Sequence, residues 1–395
     1  MSSELQLMMK VRAWRAHRQG LGGDPLTASP AAVLAQSGWA RSVGGCGPYF
    51  TFFSRAGISR ETADRAVANL EIHELPSVRG CTYVVPAEDF ALALRLAQDS
   101  GAGEMRVAEK LGVTAKEIAK LCEAVVKALE KEGPLSPDEI REAVGKAVRS
   151  LGPEGQKKGL SSTLPVALGQ LQNAGEIRRM PMNGRLDQQR YKYARWRPHP
   201  LRDSEPDAKQ AAVELAKRFF RWIGPARVAD FQAFAGIGGK AAQDAVEPLK
   251  LEAILKNSDL CLLPSDRAAF DTFKPAKEPC YRLITNLDSL LLLRRDVSDL
   301  LDPKDARHPL LPAHSLSVLP SPVIVDRGRI VGMWEYETVG ESIVYATFVK
   351  KDSAMKQAVA ATEEYIRGQL GDARTFSLDS PKSRMPRIEA LRKQG

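Results

Sequence analysis

Arg190-Tyr-Lys-Tyr-Ala-Arg-Trp-Arg197, with Arg178-Arg179 shortly before it, is the stretch whose residue types most plainly carry chemistry. Alternation along a strand puts Arg190, Lys192 and Trp196 on one face and Tyr191, Tyr193 and Arg195 on the other. Cations neutralise phosphates, and aromatic faces stack on bases or pack beneath the strands that carry them. The charge around this stretch is lopsided. Ten cations lie between residues 157 and 202, opposed only by Glu176 and Asp187, so nearly the whole net charge of +9 falls there. A smaller excess runs from Arg374 to the end of the chain and includes Lys382 and Arg384. Clustered charge of this kind is the footprint of a polyanion partner. The residues expected to meet it are Lys157, Lys158, Arg178, Arg179, Arg190, Lys192, Arg195, Lys382 and Arg384. The plainer alternative is a solvated basic face, with Tyr191 and Tyr193 in the core. Neither basic segment has the greasy helical face of a membrane-surface binder.

Other chemistry is thin. The five cysteines (Cys46, Cys81, Cys122, Cys261 and Cys280) are odd in number, far apart and contain no C-x-x-C pair, which argues for reduced thiols and against zinc or a disulfide framework. The five histidines fall in different segments, and there is no H-E-x-x-H or G-x-S-x-G. Phe234-Ala-Gly-Ile-Gly-Gly-Lys240 lacks the Ser/Thr and spacing of a phosphate-binding loop. It resembles the hairpin of a helix-hairpin-helix module, but with no second copy an ordinary helix–helix turn is the better reading. No metal or cofactor is expected. No apolar run approaches the ~18 residues of a membrane span, and the charged start of the chain does not read as a secretory signal. A cytoplasmic, nucleoid-associated protein is the expectation.

The elements that must position these residues repeat one plan: helices, then a short hairpin. Helical segments near 5–18, from Thr27 onward with Pro30 in the first turn, and near 47–56 and 62–70 precede a hairpin over 74–86. Segments near 104–111, 114–130, 136–151 and 161–173 precede the basic hairpin, whose Asn183-Gly184 is a strong turn signal. Segments near 207–222, 226–234 and 240–249 precede a hairpin over 251–263. From Tyr281 onward, β-branched and alternating runs predict an antiparallel β unit followed by one helix over 353–370. The expected class is α+β, with tandem winged-helix units and a C-terminal antiparallel β-barrel-like domain. The expected divisions are 1–98, 99–203 with the basic wing, 204–277, and 278–395 ending in a basic tail.

Three stretches carry a family resemblance: Val11-Arg-Ala-Trp-Arg-Ala-His-Arg-Gln-Gly20, Gly47-Pro-Tyr-Phe-Thr-Phe-Phe-Ser-Arg-Ala-Gly57 and Leu75-Pro-Ser-Val-Arg-Gly-Cys-Thr-Tyr-Val-Val-Pro-Ala-Glu-Asp89. With Asn286-Leu-Asp-Ser and Pro322-Val-Ile-Val-Asp-Arg-Gly-Arg further on, the chain resembles the AlkZ/YcaQ-like winged-helix family. That family includes bacterial DNA glycosylases that unhook interstrand crosslinks and excise alkylated bases. The resemblance implies a partner of double-stranded or damaged DNA and a channel flanked by winged helices. It also implies a Gln-x-Gln or Gln-x-Asp pair that positions a water at the sugar. Here the two motif positions hold Ser37 and Trp39, or else Arg41 and Val43. Gln36 is the one adjacent amide, out of phase with the motif, and is the candidate for orienting a water. Trp39 is expected to offer a stacking face, Arg41 a phosphate contact, and Arg79, at the tip of the first hairpin, to project toward DNA. Two other classes stay open: a non-catalytic DNA-structure sensor or transcription regulator, and a protein-interaction scaffold whose wing cations are locked in internal ion pairs.

Overall fold

The computed structural model describes residues 3–23, 25–98, 102–201 and 207–395. Arg202 and the expected divisions near 98 and 203 fall at or inside the segments outside the described residues. Helix α1 (Ser3–Arg18) leads into α2 (Pro30–Ser37), where Ser29 caps the N-terminus by accepting from the Ala32 amide and Pro30 takes the first turn. Then come β1 (Ala40–Arg41), α3 (Gly47–Ala56), α4 (Arg60–Ala68), β2 (Ile72–Pro76) and β3 (Thr82–Pro86). The three strands pair antiparallel in the order β1-β3-β2. Helix, strand, two helices and a strand pair make a winged helix.

The same order recurs twice. After α5 (Phe90–Gln98) and α6 (Ala102–Glu109) come α7 (Ala115–Glu132), α8 (Pro137–Val144), α9 (Gly152–Lys157), α10 (Leu164–Asn173), β4 (Ile177–Pro181) and β5 (Tyr191–Arg195). The strand between α7 and α8 is reduced to one bridge, Leu135 to Tyr193. Next are α11 (Ala208–Ile223), α12 (Val228–Ala235), α13 (Gly239–Val246), β6 (Glu252–Ala253) and β7 (Cys261–Leu262), with an Ala226–Cys261 bridge in the same place. The glycine-rich segment after Phe234 is the turn between α12 and α13, an ordinary helix–helix turn.

The last part corrects one expectation. After α14 (Arg267–Thr272), β8 (Tyr281–Ile284), α15 (Ser289–Leu292), β9 (Val323–Asp326), β10 (Arg329–Glu337) and β11 (Ser342–Thr347) supply an open antiparallel sheet in the order β11-β10-β9-β8. It does not close into a barrel. Four strands are too few to wrap an interior, and helices cover both faces. Val323, Val325 and Met333 join the core shared with α1 and α11, whereas Ile324, Trp334 and Tyr336 join the core of α3 and α16 (Ser353–Tyr365). The expected basic tail is also structured. Residues Pro381–Gln394 form α17, capped by Ser380, which lies on β10 and β11 and buries Ile388 and Leu391. An internal Pro386 and only two inward apolar residues hide this helix from periodicity. Among the described residues no helix is long and apolar enough to cross a membrane.

Burial divides the molecule unevenly. The first and third units and the C-terminal sheet share one large core, while the second unit keeps a separate core around Ile118, Leu121, Leu164 and Ile177. A fully buried ion pair fastens the shared part: Arg55 on α3 donates through both terminal nitrogens to Asp288, at 2.8 Å each, and to Ser289 at 3.1 Å. Asp288 also caps α15 by accepting from the Leu290 amide. Nearby, Asp299 accepts from Arg15 and Arg294, both at 2.6 Å. Burial alone would raise the Asp299 carboxyl, but the two guanidiniums hold it well below the usual carboxylate range. We predict that Asp288→Ala, which strands the Arg55 charge, costs about 3–5 kcal/mol in denaturant unfolding, whereas the Arg55→Met/Asp288→Leu pair costs far less.

Candidate nucleic-acid interface

The segment around Ser37 and Trp39 is closed. Ser37, at the end of α2, donates its hydroxyl to the Val33 carbonyl at 2.8 Å and is buried. Trp39 is 3 % exposed; its indole N–H donates to Asp89 Oδ2 at 2.7 Å, and its ring meets Trp222 edge-on and Tyr83 at a tilt. Asp89 also accepts from Arg218 Nε at 2.7 Å, so the indole ends a buried polar relay. Gly38, with φ of +99°, allows the turn and packs against Trp222 and Leu293. Trp39 is therefore a core residue. Arg41 is half-buried, donates to the Thr82 carbonyl at 3.1 Å and lies over Tyr83. Gln36 turns away and donates to the Arg18 carbonyl at 2.9 Å, in a separate cleft of about 580 Å³ with Arg18, Leu26, Ala32 and Arg221.

The loop after β1 is held from two sides. Its Cys46 amide donates to the Arg374 carbonyl at 2.8 Å, and its Val43 carbonyl accepts from the Ser377 amide at 3.0 Å. Gly44 lies against the Gln189 side chain, and Arg374 donates to the Asp187 carbonyl. Loops from the second unit and the C-terminal part thus clamp it.

In the basic hairpin, β4 and β5 pair Arg179 with Tyr193 and Arg178 with Ala194, so the two arginines face opposite ways. Arg179 reaches Glu74 on β2 at 3.2 Å and lies over Tyr191; Glu74 accepts in turn from the Ser42 hydroxyl. Arg195 pairs with Glu176 at 2.5 Å and Glu130 at 3.4 Å, Lys192 with Glu139 at 3.6 Å, and Lys157 with Glu154 at 3.1 Å. By contrast, Lys158, Arg178 and Arg190 have no carboxylate partner among the described residues. Lys158 and Arg190 are exposed. Arg178 is half-buried, and burial lowers its guanidinium below the ordinary arginine range. Beside it, His73 is fully buried against Trp196 and Phe90, and neither ring nitrogen has a partner.

The remaining candidates scatter. Arg79, with φ of +58°, lies against Gly236 in the turn between α12 and α13 and donates to the Ala233 carbonyl at 3.4 Å. Lys382 is exposed on α17, while Arg384 is fully buried beside Asp372 at 2.7 Å. Among the described residues no group of three or more His, Cys, Asp or Glu side chains is placed to hold a metal.

Residues 32–366 match the sequence model of the AlkZ-like DNA glycosylases. The chain belongs to this AlkZ-like family. Its fold is similar to that of the Streptomyces sahachiroi DNA glycosylase AlkZ, with a TM-score of 0.71 over 91 % of this chain and 96 % of that one, at 20 % sequence identity. No curated protein matches the chain. Sequence reasoning missed the partners that seal this region, Asp89, Arg218 and Glu74. Only Asp89, just before the Phe90 helix, carried a local signal.

Trp39→Ala should cost about 3–5 kcal/mol of stability and, if it weakens DNA binding at all, do so equally for intact and mismatched duplexes in a binding titration. Burial, with Arg178 and Arg179 adding to it, pushes His73 down from 6.5 to about 3. Between those values the unfolded chain binds a proton that the folded chain does not, so stability falls as pH drops below 6.5 toward 3. His73→Phe should remove up to about 1.4 kcal/mol per pH unit from that slope in urea melts.

Proposed function

We propose that this AlkZ-like protein binds double-stranded or damaged DNA through the hairpin of its second unit and does not hydrolyse glycosidic bonds at the family's motif. The observation that carries the first half is Arg178, a half-buried guanidinium with no carboxylate partner among the described residues, on a hairpin where most other cations are already paired. A desolvated cation without an anion is costly, and a DNA phosphate would supply one. Arg190 and Lys158 are exposed and available to the same backbone, and Lys382 is a further exposed cation on α17. Arg79, Arg195 and Arg384 serve the fold in this reading, because each is engaged by protein groups.

In one register the motif positions hold Arg41 and Val43, neither an amide nor a carboxylate; in the other they hold Ser37 and Trp39. Both are buried and both donate their polar hydrogens inward, so neither offers a group to orient a water at a sugar. Gln36, the nearest amide, is held on another cleft. A sensor of DNA structure is thus favoured over an excising enzyme.

Affinity for duplex DNA should fall steeply with salt. Arg178→Ala, Arg190→Ala and Lys158→Ala together should flatten the log–log slope by about 0.9 for each phosphate no longer neutralised, read by fluorescence anisotropy. Incubation with alkylated and crosslinked duplexes should yield no abasic sites. Base release by the native protein would overturn the non-catalytic half, and a flat salt dependence would overturn the binding half.

A further inference from the structure

A cleft of about 180 Å³ lies between the wing of the first unit and helix α10 of the second. In winged-helix order α10 is the helix that would present side chains to a DNA groove, yet here it packs on α5 and β2. Val166, Gly169, Gln170 and Asn173 follow one another at helical spacing and line the cleft, with Thr82 and Arg179 opposite and Glu104 at its edge. Val166 is buried and gives an apolar floor. Gly169 leaves the middle open; a Cβ there would sit 3.3 Å from the Glu104 carboxylate. Asn173 donates its amide hydrogens to the Ala97 carbonyl at 3.3 Å, which leaves its side-chain oxygen as an acceptor.

The lining therefore combines an apolar floor, a carboxamide of each polarity, a carboxylate and a guanidinium. The guanidinium of Arg179 is held in place by Glu74 and Tyr191. The volume is below the ~300 Å³ at which sites for drug-sized ligands begin, so a whole nucleotide is too large and one planar ring system is not. We propose that this cleft accepts a single unstacked guanine, extruded from DNA bound by the same protein. Arg179 would donate to the O6 and N7 edge, and Glu104 would accept from the N1 and N2 hydrogens. Gln170 and Asn173 lie along the remaining edge. This rests on the DNA-binding reading above and adds to it what the protein senses: an unpaired purine rather than a duplex as such.

The test uses the full chain and three duplexes identical except for a single bulged guanine, a single bulged thymine, or no bulge. The guanine bulge should be bound at least about tenfold tighter than the other two, the gain expected of one good bidentate base contact. Gln170→Ala should reduce that preference, and Gly169→Leu, which fills the cleft, should abolish it while leaving affinity for the fully paired duplex unchanged. Gln170 is exposed, so its variant keeps the test open if the glycine variant fails to fold. Equal affinity for the guanine and thymine bulges, or a preference undiminished in Gln170→Ala, would overturn the guanine site while leaving the DNA-binding reading intact. A chain that bound none of the three would overturn the DNA-binding reading and this one with it.

Discussion

A guanidinium removed entirely from water has to be met by an anion at fixed geometry, and Arg55 is met by Asp288 through two parallel hydrogen bonds. The pair joins α3, inside the first winged helix, to the start of α15, just beyond the first strand of the C-terminal sheet. Bidentate contact tolerates little displacement. It therefore fixes α3 against that sheet and sets where Ser289 and Leu293 meet the Gly38 turn. The Arg15–Asp299–Arg294 cluster repeats the constraint one helix away. With the shared hydrophobic core, these charges make the first unit, the third unit and the sheet one body.

That rigidity bears directly on chemistry. The Trp39 indole fills the junction among Trp222, Tyr83 and Asp89. A bulky ring satisfied by a buried carboxylate stabilises the junction. The second unit, with a core of its own, is attached by polar and aromatic contacts instead: Glu74 to Arg179, and Trp196 against His73 and Phe90.

The surface charge is redistributed by the same contacts. Most of the hairpin's cations are matched by carboxylates that lie far away in the sequence or on other elements, such as Glu74, Glu130 and Glu139. The exposed ones among these pairs contribute little to stability. They nevertheless decide which charges stay available for a partner, and among the described cations of residues 157–202 that leaves Arg178, Arg190 and Lys158 as the ones without a carboxylate.

Much of this architecture was legible in local sequence. Ser29-Pro30 and Ser136-Pro137 marked helix starts, Asn183-Gly184 marked the hairpin, and helices followed by a strand pair spelled winged helices, because caps, turns and periodicity act over a few residues. Residues 11–20, 47–57 and 75–89 were enough to suggest the family. The closure of the sheet was not legible: strands apolar on both faces suit a barrel or a sheet between helices equally, and only α3, α16 and the other covering helices decide between them. Helix α17 was hidden by Pro386 and by cations whose partners lie on β10. The inward turn of Trp39, the docking of Arg79 on Gly236 and the burial of Arg384 depend on residues tens to hundreds of positions away. Sequence by itself determined most of the elements and the basic hairpin. Which cations stay free and which side chains are sealed was decided only by tertiary structure, because burial and ion pairing are properties of neighbours in space.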